Sequence, residues 1–138
     1  MIVLDTNLLV RLATNDAPKE RGAVTDLLGE NECRISKTVL LETEWVLRSR
    51  YGYTTQQFAD FADHLLALPT LFIEDESVVR WAVDTARAGL DFADAMHVAV
   101  AIASDELFYT FYRKLYRKAS RIKGARVKLM GTKRLQSR

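Results

Sequence analysis

The chain alternates short apolar runs with longer stretches in which apolar residues recur every three or four positions. Ile2-Val3-Leu4 is a β-branched run that ends in a polar turn at Asp5-Thr6-Asn7, the pattern of a buried strand rather than an alternating surface one. Residues 17–29 set Ala23, Val24, Leu27 and Leu28 at helical spacing, with Pro18 suited to a first turn. Cys33 to Ser36 reads as a short strand. Thr38 is then placed to cap a helix carrying Val39, Leu40, Leu41, Val46 and Leu47, closed near Gly52. A second helix starts at Thr54 or Thr55 and runs through Phe58, Phe61, Ala62, Leu65 and Leu66 to Pro69. Leu71-Phe72-Ile73 is the next strand, followed by an acidic cap at Asp75-Glu76 and a helix that Gly89 stops. Phe92 to Ala103 is apolar on most sides, as in a buried helix. Leu107 to Phe111 and Val127 to Met130 supply two further strands.

Strands that alternate with helices in this way predict an α/β fold with a mostly parallel sheet. There are no repeats or linkers, and 138 residues fit one domain, here placed at 1–132 with a basic tail at 133–138. No stretch approaches the roughly 18 apolar residues of a membrane span. The opening MIVLDTNLLV has no basic leader and carries Asp5 in its middle, unlike a secretory signal. The single cysteine, Cys33, excludes an internal disulfide and a CxxC zinc site. A soluble, cytoplasmic protein is the expectation.

The net charge of +2 hides a division. Arg113 to Arg138 holds eleven Lys and Arg and no acid, so the first 112 residues carry a formal −9. A basic terminal segment on an acidic body suggests a polyanion at one end and a cation at the other; a solvated basic helix with a frayed tail is the alternative.

Three acidic segments stand out. Asp5 follows the first strand, at the carboxyl end where parallel α/β domains collect functional groups; capping the next helix would explain it equally. Glu42, in TVLLETEWVL, is expected on a largely buried face, where a carboxylate needs a cation, a metal or an arginine; Glu44 is read as solvated. In GLDFADAMH, Asp91 and Asp94 lie on one side of a helix start, where Asp91 suits an N-cap and Asp94 the N3 position. His97 is read as a core residue or one backing these acids, and His64 as a surface residue. Oxygen ligands without His or Cys select Mg²⁺ or Mn²⁺, and the matching chemistry is phosphodiester hydrolysis by an attacking water. The basic segment would then hold a nucleic-acid backbone through side chains such as Arg113, Lys114, Arg117 and Lys118.

IVLDTNLLVRL, SKTVLLETEWVLRSRYG and GLDFADAMHVAVA, in this order, resemble PIN-domain ribonucleases of the bacterial VapC toxin type. The resemblance implies a three-layer α/β/α fold, Mg²⁺ or Mn²⁺ dependence, endonucleolytic cleavage of RNA, a homodimer, and a VapB-type antitoxin as inhibitor. By motif, Asp5, Glu42 and Asp94 match the family's acids and Asp91 an additional one, while Thr6, Asn7 and Thr110 match positions that support the carboxylates. One position departs from the pattern. In Thr110-Phe111-Tyr112-Arg113-Lys114-Leu115, Tyr112 stands where a fourth acid belongs, and a neutral phenol carries no charge at pH 7. Asp91, or else Asp105 or Glu106, is the available substitute. Two other readings remain: a catalytically silent PIN-fold module that binds nucleic acid or an antitoxin, and a phosphatase with Asp5 as nucleophile. Asn7 speaks against the second, because that chemistry wants an acid there.

Overall fold

Every strand in the structure, a computed structural model that describes residues 1–131, pairs in parallel. The tail expected at 133–138 lies outside the described residues. β1 (Ile2–Val3), β2 (Cys33–Ile35) and β3 (Leu71–Ile73) form a sheet in that order, and β4 (Phe108–Thr110) pairs with β5 (Val127–Leu129). Between them run α1 (Thr6–Ala13), α2 (Pro18–Glu30), α3 (Lys37–Tyr51), α4 (Thr55–Ala67), α5 (Glu76–Arg87), α6 (Phe92–Ala103) and α7 (Arg113–Ala119). This is the α/β organisation expected from the alternation of patterns. Among the described residues, no helix is long and apolar enough to cross a membrane.

Two local expectations need correction. Ile2 and Val3 are exposed, Val3 at 62%, and only Leu4 enters the core. Among the described residues β1 pairs with a neighbour on one side only, and Val3 lies in register with Arg34 and Phe72 on an exposed face of the sheet. The apolar run therefore marks an edge strand. The cap of α3 is Ser36, whose hydroxyl accepts from the Val39 amide at 3.1 Å, while Thr38 lies inside the first turn. Thr38 is already the second helical residue, whereas a capping hydroxyl belongs to the residue just before the helix and accepts from an amide two or three positions on. Gly52 ends α3 at φ +67°, a left-handed conformation that glycine adopts without a Cβ clash.

The core joins Leu4, Leu9, Ile35, Leu40, Leu47, Leu65, Val79 and Val98 from both strands and helices. Cys33 is buried within it as a small apolar side chain. α6 buries Phe92, Ala95, Met96, Val98 and Ala99, in keeping with its apolar sequence.

Candidate active site

Asp5 links β1 to α1 and occupies the N-cap position of that helix, yet its side chain makes no capping bond. Capping therefore does not account for the carboxylate, which is exposed at the carboxyl end of its strand. The next residue, Thr6, is buried, and its hydroxyl donates to the Glu42 carboxylate on α3. This bond brings the first two acidic segments together.

Glu42 itself is exposed, against the expectation of burial. The buried face of α3 is Leu40, Thr43, Glu44 and Leu47, the i, i+3, i+4, i+7 set, which leaves Glu42 and Trp45 outside. The leucines before Glu42 and the apolar residues after it concealed the phase of the helix. Glu44, expected in solvent, is the buried acid at 8% exposure, and Arg48 donates to both of its oxygens at 3.1 and 3.2 Å. Burial pushes its carboxyl up, Arg48 pulls it back, and the charge of Asp91 raises it again.

Asp91 caps α6, its carboxylate accepting from the Asp94 amide at 3.3 Å. Asp94 is half-buried. Its carboxyl is pushed up first by burial and then by Asp91, with His97 acting in the opposite direction. Asp91, Asp94, Tyr112, Lys114 and Lys118 line one small pocket of about 50 Å³, so Tyr112 stands beside the acid pair. His97 is exposed rather than in the core, with its ring parallel to that of Phe108 at 6.2 Å between centroids. α6 turns its small and apolar residues inward and leaves this position outside. His64 is exposed as expected.

Among the described residues, the Thr110 side chain makes no hydrogen bond to an acid. Its hydroxyl accepts from the Tyr112 amide at 2.9 Å and shapes the turn that carries the tyrosine. Asn7 is exposed and borders a groove between α1 and α2. On α7, Leu115 and Ala119 anchor the helix while Arg113, Lys114 and Arg117 are exposed. Lys118 donates to the Gly89 carbonyl at 2.7 Å, tying α7 to the turn before α6.

Hydrogen bonds link the acidic segments in two pairs, Glu42 to the residue after Asp5, and Asp91 to the Asp94 amide. Among the described residues, no three His, Cys, Asp or Glu side chains gather closely enough to hold a metal ion. In kind, the all-oxygen donor set fits a hard divalent cation. Asp94, whose charged form is disfavoured where it sits, would be relieved by one.

A family model described as PIN domain matches residues 2–120. No curated protein matches the chain.

Proposed function

The chain belongs to the PIN domain family, a nuclease-type fold of three-layer α/β/α architecture, and from that premise we propose that it is a metal-dependent endoribonuclease. The finer part of the proposal makes it a cytoplasmic VapC-type toxin, a single domain over residues 1–132, dimeric and held in check by a VapB-type antitoxin. The observation that carries it is the Thr6–Glu42 bond, which sets the second acidic segment beside an Asp5 freed from capping.

In this reading Asp5, Glu42 and Asp94 are the residues that would hold Mg²⁺ or Mn²⁺, with Asp91 alongside Asp94. The chemistry such an ion would supply there is activation of an attacking water and stabilisation of the leaving oxygen. Thr6 fixes the orientation of Glu42, and Asp91 fixes the backbone that carries Asp94. Arg113, Lys114, Arg117 and Lys118 neutralise backbone phosphates of the RNA. Tyr112 removes one negative charge from the family pattern and weakens cation binding.

A silent binding module is the second reading. It is favoured by Tyr112 beside the acid pair. Incubation of total bacterial RNA with the purified chain, in Mg²⁺ and in Mn²⁺, decides between them. Cleavage that disappears in Asp5→Asn is the expected result, with a gain in Tyr112→Asp. Cutting by Tyr112→Asp alone would mean a scaffold silenced at one position. Silence from the parent, Asp5→Asn and Tyr112→Asp together would favour the binding module.

A further inference from the structure

The two-stranded piece of sheet has an inner and an outer face. Phe108, Thr110, Val127 and Leu129 are partly buried, and Phe108 lies against His97 of α6. Tyr109 and Lys128, partners in the parallel register, alternate with these and are exposed, Tyr109 at 59%. Two residues further along the chain come Phe111, 56% exposed, and Met130, whose amide donates to the Thr110 carbonyl at 2.7 Å. β4 ends at Thr110 and Phe111 stands in the bend just beyond it, so two exposed rings come close together at the end of the ribbon, with Lys128 paired in register with the first.

From this arrangement we propose that Tyr109 and Phe111, with Lys128, form a base-stacking platform for single-stranded RNA leading to the acid pair. The inference rests on the nuclease reading and adds to it a recognition surface outside the cations of α7. Three observations choose RNA as the occupant. The rings are large, flat and solvated, and an aromatic face accepts any base. The segment from Arg113 onward has no acid, and Lys128 makes no ion pair among the described residues, whereas Arg126 is committed to Asp105 at 2.9 Å. Tyr112 directly follows Phe111 and lines the pocket of Asp91 and Asp94, so a strand stacked on the platform runs on toward the acids. Paired RNA hides its base faces within the duplex, which leaves the platform nothing to stack.

The test is binding in EDTA, which keeps the RNA intact, read by fluorescence anisotropy with a labelled 12-nucleotide single strand and the same sequence as a duplex. Tyr109→Ala and Phe111→Ala are each expected to weaken single-strand binding about 5- to 100-fold, leaving duplex binding and the salt slope unchanged. Tyr109→Phe should bind as the parent does, since it keeps the ring. Lys128→Ala should lower the log–log salt slope by about 0.7, one phosphate contact on a single strand. Phe72→Ala, at an exposed ring on the other sheet, should change nothing, and melting curves should coincide for all variants.

Failure of the parent to bind the single strand would overturn the proposal. So would parental affinity in both alanine variants, or equal losses on the duplex. A switch from dimer to monomer in Tyr109→Ala with RNA affinity intact would make the face an interface between copies and also overturn it. A parent that binds through these rings but cuts nothing in Mg²⁺ or Mn²⁺ would defeat the nuclease reading and leave the platform standing.

Discussion

Replacing Asp94 by Asn separates its electrostatic role from any role in folding. Burial and Asp91 raise the carboxyl of Asp94 above its ordinary value, with His97 opposing them. The native chain therefore holds more protons than the unfolded one across the interval between the two values, and stability falls as pH rises through it. Asp94→Asn removes that penalty. It is expected to melt slightly above the parent at pH 7, by no more than about 1 kcal/mol, because the side chain is only half-buried. The gain should vanish below about pH 3.9, where both states are protonated. In the nuclease reading the same variant loses cleavage. Thermal melts over a pH series check the first part, and a large loss of stability at pH 7 would make Asp94 a structural residue.

At the scale of the element, α3 shows how far pattern reasoning reaches. The helix was legible, but its rotation was not. Apolar residues surround both glutamates, and only packing against the rest of the core selects Leu40, Thr43, Glu44 and Leu47 as the inner face. The start of α6 is legible because Gly89 and Asp91 punctuate it, and its apolar character marks a buried helix without a need for phase. α1 is implied in the sequence only by Asp5 as a possible cap and has no legible bounds, since its leucines continue the strand-like run before them. Asp5 is legible because it follows a strand and the end of a strand is visible in sequence; Arg48 as the partner of Glu44 is not, because that choice depends on the rotation of α3.

This rotation has an energetic consequence. Glu44 is buried and Arg48 half-exposed, so Arg48→Met strands a charge whose carboxyl burial already pushes up. The expected loss is about 1–2 kcal/mol at pH 7, less than for a fully buried pair because water reaches the arginine. Without Arg48 the carboxyl rises further, so the loss should shrink toward pH 4 as Glu44 takes up a proton. Adding Glu44→Gln should restore most of the stability. Urea melts of the single and double variants test this, and a loss independent of pH would place the effect in packing by the arginine stem.

The whole molecule is divided by charge, with acids gathered in the first 112 residues and eleven cations after them. Lys118 crosses that division, bonding from α7 to the carbonyl of Gly89, two residues before Asp91. The basic helix and the acid pair are therefore held together as neighbouring parts. The distribution of charge was readable from the sequence alone; the tether was not, because either lysine of the helix could have supplied it on spacing.

Arg34 has a different effect on the molecule as a whole. Val3, Arg34 and Phe72 lie side by side on three neighbouring strands, all exposed, with the guanidinium between two apolar side chains. That placement interrupts what would otherwise be a continuous greasy strip beside the open edge of β1. Arg34→Val should leave the melting temperature unchanged or raise it slightly, since valine favours strands. Light scattering of concentrated samples should nevertheless rise steeply, whereas Arg34→Lys should stay clear. Equal clarity for all three proteins would remove the strip as a hazard. Otherwise one side chain with no part in the proposed chemistry sets the concentration at which the protein remains in solution.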